Sequence, residues 1–420
     1  MVALEMILQV VVGLSFLALG LVAVIRPERL AEVRWIGSSG RVLGVLMVLG
    51  GVVTLVATQV PFLTFFAAVL DSAVVAGVWT KLSGLGVERL GTVAGTLLAG
   101  SLAMGVLQPL GLKVLLLPRA DKLAYVPVPT RTVKTYGAGA WFESVGVGPD
   151  GTLYLSCNRG DNYATGDKSQ AQGQVIARSP AGEERVVFTL PMGSTSGVFA
   201  IAADGTLYLT GTGAELGIWR ITPQGAATLM TRLPRGAWPN GLDFGPDGKL
   251  YSADSALGVI WRVDPATGRA ERVIEDPLLK ARRLISLAPG ANGIHFRGQE
   301  MLVTVSDRTT VLGYVLQADG RFGGPVVVAT GIPGDDFAIG QDGSLFVTTH
   351  PYNTVVRIAP DGSRSVIADA RDNIVGATDA AFGRTPEDSD TLYVVTDGGA
   401  FQGGRSARGA LIALKPFARR

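Results

Sequence analysis

The sequence has a single cysteine, Cys157, and only two histidines, His295 and His350. One cysteine excludes an intrachain disulfide framework and any multi-cysteine metal site. Charge of one sign is also lacking: 37 Lys and Arg against 35 Asp and Glu leave a formal net charge of +2, which makes no electrostatic case for nucleic-acid binding. No serine-nucleophile elbow is present, and Cys157 has no evident His or Asp partner in its repeat, so covalent catalysis is not indicated.

What is present is unevenly distributed. The mean hydropathy of +0.34 is high for a soluble chain, and the excess comes from residues 1–120, where charges are few. Four apolar stretches, 6–25, 42–60, 62–80 and 91–112, are long enough to predict a transmembrane helical bundle in a lipid bilayer. A cleaved signal peptide fits less well, because the first stretch lacks a basic start and more apolar segments follow. Arg26, Arg29, Arg34 and Arg41 lie between the first two stretches, and Lys81 and Arg89 between the last two. The positive-inside rule puts these loops in the cytoplasm and the remainder of the chain on the extracytoplasmic side. Asp71 falls within the third stretch, where a carboxylate should face the bundle interior or sit near an interface.

After a linker at 121–134, residues 135–417 repeat a unit of roughly 40 to 50 residues. The clearest copy runs from Asn240 through Pro246-Asp247-Gly248 to Asp254, followed by VIWRVDPATG and RAERVIE. It reads as four short strands with turns at Pro246-Asp247-Gly248 and Thr267-Gly268. Related units begin at Glu143, Gly197, Asn292, Asp335 and Thr378. Short strands of this kind need radial stacking to bury their faces, so the expected fold is an all-β six-bladed β-propeller behind an N-terminal transmembrane α-helical bundle. The run Arg131–Tyr136 is expected to supply the outer strand of the last blade beside Gly409–Leu414, closing the ring.

Aligning the units brings Glu143, Gly197, Asn240, Asn292, Asp335 and Thr378 to the start of each innermost strand, converging at one channel mouth. Two carboxylates and two carboxamides make an all-oxygen set suited to a hard divalent cation. The other reading of the same residues is that they hydrogen-bond loop backbone where each blade begins.

Units such as Pro239-Asn-Gly-Leu-Asp-Phe-Gly-Pro-Asp-Gly-Lys-Leu-Tyr251 and Ile332-Pro-Gly-Asp-Asp-Phe-Ala-Ile-Gly-Gln-Asp-Gly-Ser-Leu-Phe346 resemble those of the SMP-30/gluconolactonase/LRE-like superfamily. The resemblance implies a six-bladed propeller whose lactonase members bind a divalent cation, commonly calcium, with manganese or zinc as alternatives. It implies metal-ligand roles for Glu143, Asn292 and Asp335, with Asn240 as an additional channel residue near metal or substrate. The chain departs from the pattern in reading Glu143-Ser-Val in place of Glu-Gly-Pro, and Gly-Asp-Asp-Phe in place of Pro-Asp-Gly.

A second ring of polar residues, Asn158, Thr212, Ser255, Asp307, His350 and Asp397, follows the second strands. Arg159 and Arg308 adjoin it, so Asn158, Arg159, Asp307, Arg308 and His350 are candidate substrate-binding residues, with His350 also a proton carrier. Polar loop tips are the ordinary alternative. The insertions 158–172 and 398–408 would form a lid if both emerge on the metal-bearing face. The expected reaction is hydrolysis of a small lactone or ester, with Asp335 as the first candidate base and Asp336 in reserve. A non-catalytic ligand- or protein-binding propeller and a strictosidine-synthase-like enzyme are the competing readings. Oligomeric state is not legible.

Overall fold

The computed structural model describes residues 14–15, 17–18, 21, 24–25, 40–57, 119–160, 168–281, 288–400 and 406–418. The chain divides into two units, Met1–Leu115 and Leu116–Arg420. In the first, an α-helix spans Gly40–Ala57, covering most of the second expected apolar stretch. Among the described residues no helix is long and apolar enough to cross a membrane. The expected four-helix bundle is therefore not seen. The stretches 62–80 and 91–112, together with Asp71, lie outside the described residues, and 6–25 is described at only a few positions.

The second unit is an all-β propeller made of antiparallel meanders. In place of six separate four-stranded sheets, the strands form three sheets of four, one of five and one of eight. The eight-stranded sheet joins the meander Trp141–Val147, Leu153–Arg159, Gln172–Arg178 and Glu184–Thr189 to the meander Ser194–Ile201, Leu207–Gly213, Gly217–Ile221 and Ala227–Arg232. A single parallel bridge, Gln172 to Ser194, makes that join. The first strand of each meander packs on the first strand of the next, and Ala377–Phe382 returns to Trp141–Val147, so the ring is closed.

Closure uses the segment read as a linker. Thr130–Thr135 pairs antiparallel with Ala410–Leu414 as the outer strand of the last sheet, as the sequence led us to expect. Ala124–Tyr125 adds a parallel fifth strand beside Arg364–Asp369, so this stretch is built into two sheets and is not a free connector.

The core lies between neighbouring meanders. Phe142, Leu155, Val395 and Leu411 join the last meander to the first, and Tyr251, Ile260, Ile294 and Met301 join the third to the fourth. Each such buried side chain contributes about 1.5–3 kcal/mol against leaving it in water. The Asp-Gly turns that space the strands work by one device. Asp247 accepts the Lys249 N–H at 3.1 Å and Asp342 accepts the Ser344 N–H at 3.0 Å, while Gly248 and Gly343 take φ of +74° and +79°.

Candidate functional site

The channel residues share a local backbone feature. The register between first and second strands shifts at Phe142/Ser144, Ser196/Phe199, Pro239/Leu242, Ala291/Ile294 and Ala377/Asp379, which puts Glu143, Gly197, Asn240, Asn292 and Thr378 in bulges. A bulge re-aims a side chain out of the pleat. Asp335 stands just ahead of the short strand Phe337–Ile339, and its N–H is held by the Thr348 carbonyl at 2.7 Å.

Threonines on the second strands lock these bulges to the next meander. The Thr304 hydroxyl accepts the Gly293 N–H at 2.8 Å and donates to the Asp335 carbonyl at 2.7 Å. Thr348 accepts the Asp336 N–H at 3.1 Å and reaches the Thr378 carbonyl at 2.9 Å. A strand-borne hydroxyl thus fixes where each channel side chain begins.

At the mouth, Asn292 Nδ2 donates to Asp335 Oδ1 at 2.6 Å and to Ser306 Oγ at 3.0 Å. Asn292 Oδ1 is buried and has no hydrogen-bond partner among the described residues. Asn240 Nδ2 makes only a long contact, 3.5 Å, to Ser255 Oγ. Burial pushes the Glu143 carboxyl up to about 7; the charges of Asp379 and Asp397 add to the rise, and His350 and Lys168 oppose it. Burial also lifts Asp335 well above the carboxylate range, helped by Glu143 and Asp336 and opposed by His350 and the Asn292 hydrogen bond. Glu143, Asn292, Asp335 and His350 therefore share one electrostatic environment. Unpaired carboxylates brought this close favour either protons or a cation.

His350 is held by Asp397, Nε2 to Oδ2 at 2.8 Å. Burial works to lower its pKa, yet Asp397, Asp335 and Glu143 together raise it to about 9. Asp397 is itself buried and accepts the Gly399 N–H at 2.6 Å, so it fixes the ring's orientation.

A deeper layer was not foreseen from the sequence. Asp336 points away from the mouth: its Oδ1 lies 3.2 Å from His295 Nε2 and accepts the Phe337 N–H at 2.8 Å. His295 Nδ1 lies 3.3 Å from Asp243 Oδ2. Despite its burial, His295 is raised well above the usual histidine range by these two carboxylates. Asp379, bonded by Ser144 Oγ at 2.6 Å and the Val145 N–H at 3.0 Å, is raised by burial and by Asp336. Gly293 is required here, since a Cβ would collide with the Asp336 carboxylate.

The candidate substrate residues fare unevenly. Asn158 is fully buried and clips two meanders together, accepting the Ser196 N–H at 2.8 Å and donating to the Ser196 carbonyl at 2.8 Å. Its amide is directed at backbone, away from the channel mouth. Asp307 is buried, and Arg308 donates to the Pro277 carbonyl at 2.8 Å. Arg159 is exposed. Cys157 is buried and its thiol is pushed up to about 11 by that burial, in keeping with an inert role. Of the two insertions, residues 161–167 and 401–405 lie outside the described residues, so the lid is not examined by the structure.

Missed entirely was Lys168, whose ammonium lies 3.0 Å from Thr212 Oγ1 and 3.3 Å from Thr195 Oγ1. Its charge is felt by Glu143. A surface hollow of about 380 Å³ lined by Asp247, Lys249, Arg262, Asp264, Arg269 and Glu271 lies beyond the far end of the strand carrying Asn240. Its charges pair with each other, Lys249 with Asp264 and Arg262 with Glu271, both at 2.7 Å.

Among the described residues, no three His, Cys, Asp or Glu side chains group to hold a metal ion. The set at the mouth is of another composition, two carboxylates and two carboxamides. Asn292 Oδ1, buried and without a protein donor, is what such a set needs to complete itself around a hard cation.

No family model matches the chain, and no curated protein matches it significantly. Similar solved structures include the calcium-binding protein regucalcin from Agrobacterium tumefaciens, 16% identical with a TM-score of 0.49 over 70% of this chain and 97% of that one. A gluconolactonase from Xanthomonas campestris is 16% identical, with a TM-score of 0.49 over 71% and 95% of the two chains. A luciferin-regenerating enzyme is 15% identical, with a TM-score of 0.49 over 69% and 96%. These likenesses concern the fold.

Proposed function

We propose that the second unit is a divalent-cation-dependent hydrolase of a small lactone or related ester, calcium being the favoured ion. The observation that carries this reading is the buried Asn292 Oδ1, without a donor, beside the Asp335 carboxylate that Asn292 itself orients. Glu143, Asn292 and Asp335 would hold the ion, with Asn240 alongside. Once bound, it would polarise the substrate carbonyl and stabilise the developing oxyanion.

The chain's own residues supply the rest. Asp335 is the candidate base, its position fixed by Thr304 and Thr348 through backbone bonds. The His350–Asp397 pair can deliver a proton to a leaving alkoxide from the same mouth. Asp336, turned toward His295, supports the channel wall from below.

This reading counts six blades, taking the eight-stranded sheet as two blades that share the one Gln172–Ser194 bridge. It also keeps the propeller on the extracytoplasmic side of a membrane, on the strength of the Arg-rich segment 26–41. The test is a lactone and ester screen on metal-stripped full chain and on chain reconstituted with calcium, manganese or zinc. Cation-dependent turnover of at least one lactone is expected, and turnover unchanged by stripping would refute the proposal. A non-catalytic binding propeller is the second reading, favoured by the cations Lys168 and His350 that already offset the carboxylates.

A further inference from the structure

Around the ring, the residue that follows each second strand is Gly160, Ala214, Ser255, Ser306, His350 and Asp397 in turn. Serine stands only in the third and fourth meanders, the two whose channel residue is a carboxamide, Asn240 and Asn292. The two serines are also held alike. The Ser255 N–H donates to the Trp238 carbonyl at 2.9 Å, and the Ser306 N–H to the Gly290 carbonyl at 3.3 Å. Each hydroxyl then reaches into the next meander, Ser255 Oγ to the Ala291 carbonyl and Ser306 Oγ to the Gly334 carbonyl, both at 2.6 Å. Ala291 and Gly334 immediately precede the channel residues Asn292 and Asp335.

A serine hydroxyl has one hydrogen, and a carbonyl oxygen can only accept it. With that hydrogen spent on Gly334, Ser306 Oγ is left as an acceptor. The group that meets it is the Asn292 carboxamide at 3.0 Å, so the amide must present its nitrogen there. Turning the amide over would set two acceptor oxygens against each other at a buried position. Asp335 alone does not impose this orientation. As a carboxylate it takes a hydrogen from Nδ2, but as a carboxylic acid it can give one to Oδ1 of the turned amide. Ser306 removes that freedom, and Asn292 Oδ1 is left buried with no protein donor among the described residues. Ser255 meets Asn240 Nδ2 at 3.5 Å, a weaker hold of the same polarity.

We infer that Ser306 is a positioning residue: it fixes the Asn292 carboxamide with the nitrogen on Ser306 and Asp335 and the oxygen left for a ligand. The use of that oxygen rests on the cation reading proposed above, whereas the orientation itself is measurable in metal-free protein.

The test has two arms. In the first, metal-stripped full chain carries 15N-labelled asparagine, of which the sequence has six, and Asn292→Ala identifies the Asn292 side-chain amide by its disappearance. Its protons should exchange with water on the order of tenfold or more slower than those of free asparagine. Ser306→Ala should recover about tenfold of that rate and leave the buried Asn158 amide, elsewhere in the ring, unchanged. Fast exchange in wild type, or no change in Ser306→Ala, overturns the inference.

In the second arm, calcium affinity is measured by calorimetry for wild type, Ser306→Ala, Asn292→Ala and the double variant. Ser306→Ala should weaken calcium on the order of tenfold, and by less than about twofold in the Asn292→Ala background, since a positioning residue acts only through the group it positions. An equal loss in both backgrounds would mean that Ser306 merely clips the fourth meander to the fifth, and that too overturns the inference. A wild-type chain that binds no calcium, while Ser306→Ala still frees the amide, would defeat the cation reading and leave the orienting role standing.

Discussion

Asn292 and Asp335 come from successive meanders and meet through one hydrogen bond, Nδ2 to Oδ1 at 2.6 Å, which leaves Asn292 Oδ1 buried and aimed at no donor among the described residues. An amide held this way has its nitrogen committed to a carboxylate, so its oxygen is pre-oriented as a ligand. Burying an unsatisfied carbonyl costs about 1–3 kcal/mol, which a bound cation would offset.

Asn292→Ala removes both the ligand oxygen and the bond that orients Asp335. Calcium affinity should fall about 10- to 100-fold, the range seen when an orienting partner of a metal ligand is lost. Titration of metal-stripped chain with calcium measures it, and an unchanged affinity would remove Asn292 from the site.

Glu143 imposes a pH dependence whose sign can be worked out. Its pKa rises from an ordinary 4.5 to about 7 in the folded chain, so between those values the folded protein holds more protons than the unfolded one. The stability this contributes is fully present below 4.5 and is lost as pH rises through about 7. A cation requires the carboxylate form, so calcium should release a proton near neutral pH and bind more tightly as pH rises. Thermal melts of calcium-free chain should show a falling Tm across this window, and calcium should restore it. A calcium affinity independent of pH would contradict the assignment of Glu143.

Asp397 holds His350 in its charged form. In Asp397→Asn the amide keeps the shape but not the charge, so His350 should titrate lower, from about 9 back toward 6.5. With only two histidines in the chain, imidazole resonances in an NMR pH titration can be assigned by one substitution. A His350 pKa unmoved by Asp397→Asn would show that the pair is not electrostatically linked.

For the membrane arrangement, protease added to intact spheroplasts should digest residues 135–417. Full protection of that segment would reverse the orientation.

The repeat and the ring were legible because each is a local pattern. An Asp-Gly turn with an aromatic three residues after the glycine recurs in four of the units, and a polar residue heads the first strand in five of the six; those cues were enough to align Glu143, Asn240, Asn292 and Asp335. The closing strand at Thr130–Thr135 was legible for a similar reason, since an unpaired last sheet needs a partner. What escaped were contacts between units. Asn158 looks like a polar loop tip in sequence, but it is buried because Ser196 of the next meander stands opposite it. Asp243, His295 and Asp336 each sit in different motifs and meet only when the ring closes. Lys168 lies in an insertion with no counterpart in the repeat, so no alignment could assign it. The four-helix bundle was read from hydropathy, and most of the stretches it rests on lie outside the described residues.

The most direct measurement of the central claim is the calcium content of purified full chain, set beside its rate on a lactone found in the screen, for wild type, Glu143→Gln and Asp335→Asn. Both substitutions keep side-chain shape and remove an anionic oxygen. The account predicts one calcium per wild-type chain, with metal and turnover lost together in both variants. Turnover at the wild-type rate in either variant without bound metal would contradict it.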